Sequence, residues 1–112
     1  MTAAERLAPV LCDRFFEVVE WSTRWSSADA QRRQTFSVMA EFALAAGRRG
    51  ERTIEGLAKA LAAGFARDCQ LAGVRPLPWP ILTDDQREVF RLLATRAVEW
   101  AAEQRASGRN AA

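Results

Sequence analysis

Apolar residues in this chain recur three and four positions apart, and nowhere do they alternate with polar ones. A strand needs a period of two and a helix a period of 3.6, so the pattern restricts the fold to helices packed on helices. In the first block Leu7, Leu11, Phe15, Val18, Ser22 and Trp25 share a face, widened by Val10 and Val19. Phe36, Met39, Ala40, Ala43 and Leu44 form a second stripe, and Ile54, Leu57, Ala58, Leu61, Phe65 and Ala72 a third. Phe90, Leu93, Ala97, Trp100 and Ala101 form the fourth.

The punctuation between stripes fits four helices. Thr2 with Glu5 and Thr83 with Gln86 read as capping boxes, and Thr53 as a cap for the third helix. The first helix is expected to run to about Trp25, with Pro9 either kinking it or marking its true start. The second is expected over about Ala28 to Ala46, and Gly47 or Gly50 supplies the left-handed residue that ends it. Gly73 stops the third helix. The expected fold is all-α: a four-helix, bundle-like single domain over residues 1–106, with a disordered tail over 107–112. Apart from the shared caps, the two halves read as unrelated in sequence.

Three of the four prolines fall in "RPLPWPILTDDQ", at Pro76, Pro78 and Pro80 around Trp79. Proline fixes its own φ and disfavours helix in the residue before it, so Arg75 to Pro80 is expected to be an extended linker between the third and fourth helices. Whether Trp79 is buried or exposed decides between a structural strut and a recognition segment.

Composition removes much chemistry. The 112 residues contain no histidine and no tyrosine, which excludes His-dependent triads, HExxH zinc sites and the Glu-x-x-His di-iron bundle. No phosphate-binding glycine loop occurs. Asp13, Glu17 and Glu20 would share one face of a helix extending to Trp25 and could hold a hard cation. A solvated face paired with Arg14 and Arg24 is the competing reading. Cys12 and Cys69 are too far apart in sequence for a CxxC pair and read as small buried hydrophobes. No export signal and no apolar run of about 20 residues is read, so a cytoplasmic, non-membrane protein without a cofactor is expected.

Of 16 basic residues 15 are Arg, yet the net charge is only +2, too little for a strong overall field toward nucleic acid. Arg48, Arg49 and Arg52 nevertheless cluster, with Arg32 and Arg33 earlier on the second helix. They could hold phosphates, or they could complement a helix C-terminus. "RTIEGLAKALAAG" opens like a helix-turn-helix, but the turn glycine arrives late at Gly64 and Asp68 stands where an apolar residue should pack.

Trp21, Trp25 and Trp79, with Arg32, Arg33, Arg48, Arg49 and Arg52, are the candidate partner-binding residues, because Trp and Arg anchor interfaces. Trp21 and Trp25 are expected on one side of the first helix. The C-terminal half, through Trp79, Leu82, Thr83, Asp85, Arg87 and Phe90, resembles a pattern in small helical proteins of phages and other mobile elements. The resemblance implies a stoichiometric binder such as an anti-CRISPR inhibitor. It would sterically occlude a protein or ribonucleoprotein complex of bacterial defence. The alternative is a small nucleic-acid-binding regulator using the Arg cluster. A homodimer is a further arrangement an exposed aromatic patch would allow.

Overall fold

A computed structural model describes the backbone of residues 1–111 and the side chains of residues 1–108. Among these residues the secondary structure is entirely helical. The elements are α1 (Ala3–Val18), a 3₁₀ turn (Trp25–Ser27), α2 (Ala30–Arg48), α3 (Ile54–Leu71), a second 3₁₀ turn (Trp79–Ile81) and α4 (Asp84–Ala111). Each helix packs against two others, in the cyclic order α1, α2, α3, α4 and back to α1. The core at their meeting is built from Leu7, Ala8, Leu11 and Cys12 of α1, Met39 and Ala40 of α2, Ala58 and Leu61 of α3, and Leu93 and Ala94 of α4. No described helix is long and apolar enough to cross a membrane. The tail expected over residues 107–112 falls partly outside the described residues, while Ser107 and Gly108 continue α4.

The caps are where the local chemistry puts them. Thr2 and Glu5 form a reciprocal capping box, so α1 begins at Ala3 and runs through Pro9. Of the two expectations for Pro9, a helix start there is corrected: one lost backbone bond does not outweigh a capped first turn and a buried Ala8 and Leu11. Asp29 caps α2 by accepting from the Arg32 amide at 2.8 Å. Thr53 caps α3 through the Gly56 amide at 2.9 Å. Thr83 and Gln86 exchange bonds at 3.1 and 2.9 Å to cap α4.

α1 stops at Val18 rather than continuing to Trp25. Glu20 takes φ of 60°, the Trp21 amide donates to the Phe16 carbonyl at 2.9 Å, and the Glu20 amide donates to Glu17. This is a Schellman turn with glutamate in the left-handed position. Its usual apolar contact is present as the Trp21 ring stacked on Phe16, centroids 5.8 Å apart. Trp21 and Trp25 therefore leave the helix and do not share one of its faces.

α3 ends by the same device. Gly73 has φ of 77°, the Val74 amide donates to Cys69 at 2.8 Å, and the Gly73 amide donates to Gln70. The proline segment is extended only in part. Pro78 and Leu82 have extended dihedrals, but Trp79–Ile81 between them turns into 3₁₀ helix. The expected extended linker is thus shorter than the three prolines suggested, because the α4 cap and Arg87 draw the chain into a turn.

Gly64, late for a helix-turn-helix, has a different role. A Cβ there would lie 2.8 Å from the Met39 Cα and 3.2 Å from Phe42 side-chain atoms. It lets α2 and α3 approach closely, and α3 continues through it unbroken.

Candidate functional site: an aromatic groove between two stapled hairpins

The two 3₁₀ turns carry one construction twice. Arg33 donates from Nε to the Trp25 carbonyl at 3.0 Å and from Nη2 to the Ser26 carbonyl at 3.2 Å. Its guanidinium carbon sits 5.1 Å from the Trp25 ring centroid. Arg87 donates from Nε to the Trp79 carbonyl at 3.1 Å and from Nη2 to the Pro80 carbonyl at 2.7 Å. Its guanidinium carbon lies 5.9 Å from the Trp79 ring, and that of Arg91 lies 5.8 Å from it. Each fork satisfies two carbonyls just ahead of a helix and places a cation over the indole that begins the turn.

This recurrence corrects the view that the halves are unrelated. Trp25 and Trp79, Arg33 and Arg87, Phe36 and Phe90, Ala40 and Ala94, and Ala43 and Ala97 are each separated by the same 54 positions. The Schellman residues Glu20 and Gly73 stand 53 apart, since the second loop is one residue longer. The chain is a helix–turn–helix hairpin built twice: α1 with α2, then α3 with α4.

A groove of about 670 Å³ opens where the hairpins meet. The hairpins contribute matched positions to it: Phe16 with Cys69, Trp21 with Val74, and Phe36 with Phe90. Arg32 with Gln86 and Thr35 with Val89 complete the correspondence. Its floor is aromatic, with Phe15 and Phe36 centroids 5.6 Å apart on one side and Phe65 and Phe90 6.1 Å apart on the other. Its lips are the segments after the Schellman turns. Trp21 is 55% exposed, Val74 57% and Leu77 54%, and Phe65 behind them is 44% exposed.

The charged residues lining the groove are Arg32 and Arg75, and no carboxylate lines it. Arg32 pairs with Asp29 at 3.3 Å. Arg75 is exposed and has no ion-pair partner among the described residues. Behind Thr35, the buried Asp68 carboxylate accepts from the Thr35 hydroxyl at 2.6 Å. The residue that spoiled the helix-turn-helix pattern is therefore a hydrogen-bonded link between α2 and α3.

The thiols are poor nucleophiles. Burial, with Asp13 adjacent, raises the Cys12 pKa to about 11. Burial first and Asp68 second raise that of Cys69. The carboxylate row dissolves. Asp13 accepts from the Trp25 amide at 2.8 Å, Glu17 pairs with Arg14 at 3.5 Å, and Glu20 lies beyond the helix. Among the described residues no group of three or more His, Cys, Asp and Glu residues could hold a metal ion.

The candidate residues divide into three sets. Trp21 and Arg32 line the groove. Trp25, Arg33 and Trp79 are half-buried in the staples, and Trp25 and Trp79 pack against the core. Arg48, Arg49 and Arg52 lie at the far end of α2, about 14 Å along the helix from Met39. There Arg52 donates to the Gly47 and Glu51 carbonyls, both at 3.0 Å, helping to cap α2. The Glu51 carboxylate accepts from the Thr53 amide and hydroxyl at 2.8 and 2.7 Å, and these bonds hold its pKa below the usual carboxylate range. The place a phosphate would take at the start of α3 already holds an internal anion. Phe65 was read as part of the buried stripe of the third helix and is instead 44% exposed, and Val74, Arg75 and Leu77 were not read as site residues. The signal that could have found them is the repeated Trp-x₇-Arg, which marks the segment before each staple as equivalent. Comparisons with known protein families, with curated proteins and with solved structures give no match.

Proposed function

We propose that this chain is a non-catalytic binding protein and that the groove between its hairpins is where a partner protein docks. One observation carries the reading. Four large apolar side chains, Trp21, Phe65, Val74 and Leu77, stand 44–57% exposed around a single aromatic groove, whereas the other exposed ones among the described residues, Met1, Leu71, Ile81, Leu92 and Val98, do not line it. Clustered apolar exposure of this kind marks interaction surfaces. The staples support the reading because they fix the 3₁₀ turn that follows each lip, through bonds to the carbonyls of Trp25 and Ser26 and of Trp79 and Pro80, which limits the ordering needed when a partner arrives.

The finer form, occlusion of a bacterial defence complex, is supported by the C-terminal resemblance to small mobile-element proteins. Capture from bacterial lysate by the wild-type chain, in parallel with Trp21→Arg and Leu77→Arg, tests both levels. A specific protein retained by the wild type and lost by both variants supports the docking site. Its identity as a defence component would support the finer form. Equal capture by all three chains removes the groove from the function.

A further inference from the structure

We propose that the groove's occupant is an amphipathic helix of the partner, apolar on the face that enters and acidic along its flanks. This rests on the docking reading above and deepens it to a class of ligand.

Width is the first argument. The lips rise from different hairpins, Trp21 from the first and Val74 to Leu77 from the second, and all their apolar members remain half-exposed. One occupant must cover both lips and the floor between them. A helix with its side chains is about 10–12 Å across and can lay one apolar face over lips and floor together. The floor is Phe15 and Phe36 on one side and Phe65 and Phe90 on the other, a trough suited to anchors at spacings of three and four.

Charge is the second argument. Arg32 and Arg75 are the groove's charged lining, one contributed by each hairpin, and no carboxylate opposes them within it. Of the carboxylates bonded to its lining residues, Asp29 pairs with Arg32 and caps α2, and Asp68 accepts from Thr35. Arg75 has no partner of its own among the described residues. A helix seated on the floor would bring its flanks to these guanidinium groups. Acidic flanks would give Arg75 the partner it lacks and add to the Asp29–Arg32 pair, whereas basic flanks would meet the unpaired Arg75.

The test uses the full chain and three synthetic helical peptides of about 15 residues with one Leu/Phe stripe, flanked by Glu, Gln or Lys. Binding is read by tryptophan fluorescence at low and at physiological salt. The Glu peptide is expected to bind about five- to tenfold more tightly than the Gln peptide, with Lys weakest and the spread narrowing as salt rises. Arg75→Glu should invert the order. That side chain is exposed and unpaired, and an unchanged circular dichroism spectrum confirms the variant is folded. Trp21→Arg should weaken all three peptides together.

Equal affinities for the three peptides would overturn the acidic assignment and leave a helix-binding groove. No binding of any peptide, while lysate capture stays sensitive to Trp21→Arg, would overturn the helical occupant and leave the docking reading standing. Saturable dodecanoate binding that excludes the Glu peptide would reassign the groove to an amphiphile. Self-association abolished by Leu77→Arg, with no peptide bound, would reassign it to a second copy of the chain.

Discussion

The two hairpins solve one problem with different residues. Each must turn a chain leaving a helix into the start of the next, and each uses a Schellman turn, a Trp-led 3₁₀ turn and an arginine fork. The first hairpin places glutamate in the left-handed position and a tryptophan on its lip; the second uses glycine there and a valine followed by prolines. The first staple has one guanidinium over its indole and the second has two. The closing turns are shared, while the lips beside them differ. The same closure is therefore compatible with two different lips.

The sharpest way to break this comparison is to make the same residue at equivalent core positions. Leu11 of α1 corresponds to Gly64 of α3 by the offset of the Schellman turns, and both are buried. Leu11→Ala leaves a cavity in a fully enclosed site and is expected to cost about 2–5 kcal/mol. Gly64→Ala pushes a Cβ against the α2 backbone and is expected to cost about 1–3 kcal/mol by overpacking. Urea unfolding measures both. A neutral Gly64→Ala would show that α2 and α3 are not held at closest approach there.

The staples come next. Trp25→Ala and Trp79→Ala are each expected to cost about 2–4 kcal/mol, below the range for fully buried aromatics because both rings are half-buried. Trp79→Ala should be the worse by about 0.5–1 kcal/mol, since two guanidinium groups lose their ring. Arg33→Lys and Arg87→Lys should each cost about 1–2 kcal/mol, because an ammonium cannot bond two carbonyls as a planar fork does. If either lysine variant matches wild type in thermal unfolding, that fork is decorative and the two hairpins are not closed alike.

Most of the fold was readable because helix starts are local. Thr2 with Glu5, Thr53, and Thr83 with Gln86 act within one turn, so three residue types at fixed spacing suffice. The end of α1 was not readable, for a physical reason. The spacing of Val18, Ser22 and Trp25 continues the helical period past a Schellman turn made by Glu20, which carries none of glycine's signal. Gly73, in the equivalent place, was read correctly. Of the candidate site, Trp21 and Arg32 were legible as residue types, but the groove they line exists only where two hairpins meet. The arginines told least by identity. Arg33 and Arg52 are spent on backbone carbonyls, while Arg75, unremarkable in sequence, lines the groove exposed and without an ion-pair partner among the described residues.

The smallest effect tests the contrast between the two turns directly. Glu20 sits at φ of 60°, and its side chain has no hydrogen-bond or ion-pair partner among the described residues, so it contributes nothing to offset the backbone strain. A non-glycine residue there costs about 1–2 kcal/mol, part of which glycine would return as greater freedom in the unfolded chain. Glu20→Gly is therefore expected to stabilise the protein by about 0.5–1 kcal/mol. Gly73→Ala is the reverse experiment. A Cβ at Gly73 would meet nothing within 4 Å, so its cost is purely conformational, about 1–2 kcal/mol at φ of 77°. If both changes move the unfolding midpoint as stated, the turns are interchangeable parts of one repeated hairpin. A destabilising Glu20→Gly would mean that the glutamate is held for something the second hairpin lacks, and the equivalence would end at the first groove lip.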